Sequence, residues 1–171
     1  MPVSGRRSRP KRPAAPMRWS SQALLPLPGE SVRDLSLNAH LALEACKAKD
    51  GSRHMLNELT RLTYLSFYLW ESGTRGCGFA VYEAAEDALN CTVDKAEVSG
   101  VWRLPPEHTG TIERVLAAYD EQIATVSAKA YMQAVFRLGR VLSNKESRSP
   151  VAKLAEAKST MNVSLEEHSD E

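Results

Sequence analysis

Apolar residues recur at helical spacing from about residue 31 to residue 142 of this 171-residue chain. Val32, Leu35, Ala39, Ala42 and Cys46 form one stripe, and Ser31 with Asp34 three residues on predicts an N-cap for it. Lys47, Lys49, Asp50 and Gly51 close this helix. Ser52 predicts the cap of a second helix reaching about Ser72, with Gly73 as its stop. Met55, Leu59, Leu62, Ser66 and Leu69 line one side, and Leu56, Thr63, Phe67 and Trp70 lie beside them. A helix apolar over so much of its circumference belongs at the centre of a bundle.

The same spacing predicts a third helix over about 79–98, with Tyr82, Ala85, Leu89, Val93 and Ala96 inward and Gly100 at its end. The link GVWRLPPEH follows, extended because of Pro105-Pro106, with Trp102 and Leu104 packing down. A fourth helix starts between Glu107 and Thr111, runs to Thr125, and turns in Ile112, Val115, Leu116, Tyr119 and Ile123. Ser127 caps a fifth, carrying Tyr131, Ala134, Val135, Leu138 and Leu142. No alternating strand pattern exceeds a few residues. The reading is an all-α fold: a compact bundle of about five helices over residues 30–142, between a disordered arm (1–29) and a disordered polar tail (143–171). In the tail KLAEAK favours a transient helix, with nothing evident to anchor it.

The composition is that of an ordinary globular chain, 43% apolar and 25% charged. The net charge of +1 changes the picture only when it is divided along the chain. Arg6, Arg7, Arg9, Lys11, Arg12 and Arg18 lie in residues 1–29, which contain no acid. The other 16 of the 22 bases face all 21 acids, so an arm of +6 precedes a remainder of −5. That asymmetry points to a polyanionic partner. Arg6, Arg7, Arg9, Lys11 and Arg12 are the nucleic-acid candidates, against the plain alternative of a solvated tail. RRSRPKRP also has the composition of an import signal. The prolines argue against the amphipathic helix of a mitochondrial leader.

Within the body, YDEQIATVSAKAYMQAVFRL half fits a helix-turn-helix. Val126 falls at the turn, and Ala124, Tyr131 and Ala134 at three positions expected to be buried. Asp120, Glu121 and Thr125 stand where such motifs place an apolar residue, a small alanine and glycine. Lys129, Arg137 and Arg140 would face outward from the would-be recognition helix, with Gln133 beside them, as groups for phosphates and base edges. Ordinary helix packing accounts for the segment as well. Leu24, Leu25 and Leu27 of LLPLP, laid extended across the body, together with Tyr64, Tyr68 and Trp70, make an alternative apolar surface for a protein partner or a second copy.

Catalytic and metal chemistry find little footing. His40 and Glu44 are one helical turn apart but lack a further ligand, and His54 and His108 read as exposed polar residues at helix starts. Cys77 in TRGCGF sits beside Arg75 near a helix start, a setting that would lower its pKa; the simpler reading is a small residue in a glycine turn. Gly73, Gly76 and Gly78 lack the lysine and hydroxyl of a phosphate loop. No metal or cofactor is expected, and the reading is non-enzymatic. Three cysteines without metal spacing, no secretory signal and no apolar run of membrane length make the cytoplasm the expected location, without membrane association.

The runs LLPLPGESVRDLSLNAHLALEAC, LTYLSFYLWESG, AAEDALN and WRLPPEHTGTIERVLAAYDEQIATVSAKAYMQAV resemble a group of small proteobacterial proteins of plasmids and integrated mobile elements. Members are sometimes labelled Fis-type transcriptional regulators. The resemblance spans about residues 24–138 and rests on layout: a Leu-Pro start, a histidine in the first helix, an aromatic second helix and Asp-Glu-Gln before the last. It implies a bacterial cytoplasmic setting on a mobile element, and it carries no site residues over.

Overall fold

The computed structural model describes residues 21–48, 51–143 and 149–157. The arm cations at positions 6–12 lie outside them, as do residues 158–171 of the tail. After a short 3-10 turn, η1 (Ser21–Leu24), come α1 (Gly29–Lys47), α2 (Arg53–Glu71), α3 (Phe79–Ser99), α4 (Pro106–Thr125), α5 (Ala128–Ser143) and a last helix, α6 (150–157). The fold is an all-α bundle, and α2 is its axis: α1, α3, α4 and α5 all pack on it.

The helix ends follow local chemistry. Ser52 caps α2 by accepting the Met55 amide at 3.3 Å. Gly100, at φ +74°, ends α3 in a left-handed conformation that side chains disfavour. Pro106 occupies the first helical position of α4, where its missing N–H costs nothing. At α1 the expected cap shifts by three residues, from Ser31 to Pro28. The helix begins at Gly29 because the Pro28 carbonyl already accepts the Val32 amide, so Ser31 lies inside the first turn and caps nothing.

Almost every inward stripe read from the sequence is inward in the structure. Leu59, Phe67, Leu69, Tyr82, Leu89, Ile112, Leu116, Tyr119 and Ile123 are fully buried, each apolar side chain removed from water contributing about 1.5–3 kcal/mol. Leu104 is buried as well, and its amide bonds the Cys46 carbonyl at 2.8 Å, which holds the α3–α4 link against the end of α1.

Two expectations are corrected. Leu142 is exposed, because α5 packs through the buried Ala134 and Leu138 and the half-buried Ala130, Tyr131, Val135 and Val141, and its last turn offers Val141 to the core instead. Residues 149–157 are not an unanchored segment. Ser149 caps α6 by accepting the Val151 and Ala152 amides, and Val151 is 0% exposed in the main core cluster with Leu154 packed against it.

Candidate functional site

The structure gives α5 and η1 a common surface. Leu25 carbonyl accepts the Ala128 amide at 2.9 Å, and Pro26 and Ser127 form an isolated antiparallel bridge. The chain that follows the basic arm is thereby tied to the first turn of α5. Leu27 packs against the core, while Leu24 and Leu25 are 63% and 60% exposed. The expectation of an extended LLPLP crossing holds for Leu25 to Pro28; Leu24 belongs to the preceding 3-10 turn.

α5 itself contains Lys129, Arg137 and Arg140 and no acid, whereas α3 carries Glu83, Glu86, Asp87, Asp94 and Glu97 against Lys95 alone. Arg140 is exposed and Lys129 half-buried. Arg137 is committed elsewhere: it donates to Glu71 at 2.6 Å and lies over the Tyr68 ring. Between the cations α5 presents exposed apolar groups, Met132, Phe136 and Leu142. The surface is therefore mixed, cationic and apolar.

The aromatic part of the expected partner surface is corrected. Tyr64 and Tyr68 are buried, and Trp70 is half-buried among Phe67, Phe79 and Tyr82. Gly76 approaches the Trp70 ring so closely that a Cβ there would stand 2.7 Å from it. Residues 63–69 of α2 are buried all round, so the helix has no aromatic face to offer. The exposed large apolar groups lie instead on η1 and α5, and on α1 at Leu37 and Leu41.

The helix-turn-helix half-match resolves into bundle packing. Val126 and Ala134 are buried and Tyr131 half-buried as the motif asks, but Ala124 is exposed. Asp120, at a position the motif would fill with an apolar residue, bonds His40 of α1 at 2.8 Å. α5 packs on α2 and η1, not along α4.

His40 thus pairs with Asp120 and not with Glu44, whose carboxylate takes Lys47 at 2.9 Å. Among the described residues no three His, Cys, Asp or Glu side chains converge as metal ligands. Burial raises the Cys77 thiol, outweighing the Tyr82 hydrogen bond and the nearby Arg114 that pull it down; the glycine-turn reading fits this better than an activated nucleophile. Cys46 is pushed up to about 11 by burial.

Sequence reasoning missed a polar cluster in the core. Ser66 Oγ donates to Gln122 Oε1 at 2.8 Å and lies 2.9 Å from the Tyr82 hydroxyl, while Gln122 Nε2 donates to the Ser66 carbonyl at 3.2 Å. The cluster joins α2, α3 and α4. It contains hydroxyls and an amide but no base, so it fixes register and activates no nucleophile. Ser66 interrupting an apolar stripe was the available signal.

A cavity of about 410 Å³ opens between α1 and α2, with Tyr119 and Tyr131 also at its lining. Leu35, Ala39, Leu62 and Leu65 form its apolar walls, with Asn38, His54, Glu58 and Arg61 among its polar lining. No sequence motif marks it, because its lining is shared between α1 and α2, with one residue each from α4 and α5. No helix among the described residues is long and apolar enough to cross a membrane. No family model, no curated protein and no solved structure matches the chain.

Proposed function

We propose that this chain is a non-enzymatic accessory or regulatory protein that contacts DNA with one cationic side, in the bacterial mobile-element setting that its layout resembles. One observation carries the reading: the acid-free segment bearing six cations joins the body at η1, which packs on α5, a helix with three bases and no acid. The arm's point of attachment therefore lies against the basic helix. Phosphate contacts by the arm's six cations alone give a salt slope of roughly −5, and Lys129 with Arg140 extend it to about −7.

Fluorescence anisotropy of duplex DNA with the full chain tests this across 50 to 200 mM salt. Replacing the six arm cations by glutamine is expected to reduce the slope to about −2 and to abolish binding at the higher salt. Unchanged affinity in that variant would refute the arm's role.

A second reading, docking of a protein partner, is favoured by the exposure of Leu24, Leu25, Met132 and Phe136 on the same η1–α5 side. Phe136→Glu with Leu25→Ser separates the two. Loss of a protein complex with the DNA salt slope intact supports docking, and light scattering tells a second copy from a different partner.

A further inference from the structure

The outward side of α5 carries its free charges at a fixed interval. Lys129 and Arg140 stand eleven residues apart, about three helical turns or roughly 16 Å, so both project the same way. Phe136 lies between them on that side and is 51% exposed. Neither cation meets an acid among the described residues.

α3 repeats that interval with the opposite sign. Glu83 and Asp94 are also eleven residues apart, with Asp87 between them on the same side of the helix. All three are exposed and meet no base among the described residues, whereas Glu86 is buried against Tyr64 and Glu97 pairs with Arg53. Ala84 and Cys91, one turn either way from Asp87, are small. Val98, one turn past Asp94, is 92% exposed.

We infer that α5 is a docking surface for α3 of a second copy of this chain, the two helices lying antiparallel. Lys129 then meets Asp94 and Arg140 meets Glu83, a match of charges that also fixes the register. Phe136 comes level with Asp87, over the small Ala84 and Cys91. The same alignment carries Val98 toward Leu25, which is exposed and bonded to the start of α5. Antiparallel packing sets the negative end of α5 beside the positive end of α3. The contact is heterologous: each chain offers α5 to one neighbour and α3 to the next. This rests on the protein-docking reading above and names the partner.

The test is sedimentation velocity of the full chain. One helix side on another is a small interface, so association is expected at about 10–100 µM. Raising salt from about 50 to about 500 mM should weaken it about tenfold. Phe136→Glu, which removes the apolar centre of the α5 side and adds an acid, should leave single chains. Glu83→Lys with Asp94→Lys should do the same from the α3 side. These positions are exposed, and the circular dichroism of both variants is expected to match wild type. Each variant keeps the half of the contact that the other lacks, so mixing them should restore association and stop it at a pair of chains. Wild type that sediments as a single chain up to about 500 µM would overturn the inference. Association persisting in either variant alone, or a mixture that stays monomeric, would overturn it as well. If self-association fails while Leu25→Ser still disrupts a complex with a different protein, this inference falls and the docking reading stands.

Discussion

The guanidinium carbon of Arg137 lies 4.1 Å from the centroid of the Tyr68 ring. This contact joins one residue expected to bind nucleic acid to another expected to bind protein, and it draws both inward. Arg137 also pairs with Glu71, so it fastens α5 to the end of α2 from two sides. Arg137→Ala is expected to lower stability by about 1–2 kcal/mol, the sum of a half-exposed cation–π contact and one ion pair. Arg140→Ala should leave stability within about 0.5 kcal/mol of wild type and act on DNA affinity instead. Urea unfolding of the two variants checks the difference, and equal losses would contradict it.

A second expectation concerns Tyr64, whose hydroxyl donates to the buried Glu86 carboxylate at 2.5 Å. Removing the donor alone strands a buried acceptor, so Tyr64→Phe should cost about 1–3 kcal/mol. Glu86→Leu added to it should recover part of that loss. A double-mutant cycle showing no coupling between the two positions would contradict the pairing.

Glycine substitutions divide by location. A Cβ on Gly51 would lie 1.9 Å from the Trp102 carbonyl oxygen, and backbone cannot rotate away. Gly51→Ala should therefore destabilise by about 1–3 kcal/mol and loosen the α3–α4 link. Gly110, inside α4, has nothing within 4 Å of the same atom, and Gly110→Ala should stabilise by about 0.5–1 kcal/mol. Thermal melts of both variants give the sign directly.

Alkaline pH should unfold the protein early. Burial raises Cys46 from 9.0 to about 11 and Tyr82 from 10.0 to about 12, with Tyr64 and Tyr119 pushed up as well. Each group is protonated when folded and ionises more readily when unfolded. The unfolded state then holds fewer protons, and stability falls as pH rises. It is complete below about pH 9 and declines between 9 and 12. Cys46→Ala should flatten the first part of that decline, measured as the urea midpoint at successive pH values.

Val151 should matter more than its place near the end of the chain suggests. Val151→Ala removes two buried methyl groups and should cost about 2 kcal/mol. Val151→Asp should unfold the bundle or release α6, visible as a loss of helical circular dichroism.

The five longer helices and most inward positions were legible in the sequence because amphipathic spacing reports which side of a helix is apolar. It does not report whether a neighbour covers that side. Tyr64 and Tyr68 looked spare beside the main stripe of α2, yet residues 63–69 of that helix are buried on all sides and use them. Phe136 drew no attention, and Leu142 looked inward although α5 packs chiefly on α2 and η1 and its last turn gives the core Val141. α6, expected only as a transient helix, had an anchor that was missed for a related reason. A helix of eight residues is too short to show a period, and what holds it is Val151 reaching a core assembled by residues far away in sequence. The cavity left no trace at all, since a void between helices has no sequence of its own.

The hydrogen bond between Leu25 and Ala128 also works as a leash. Fifteen residues separate Arg6 from Ser21, a contour of at most about 50 Å. Every cation between them stays within roughly fifteen base pairs of the attachment point on any duplex that α5 touches. On the proposed DNA reading, one contact raises the effective concentration of the other. An arm supplied as a separate peptide would lose that coupling, and so would a chain in which a longer spacer parted Ser21 from α5.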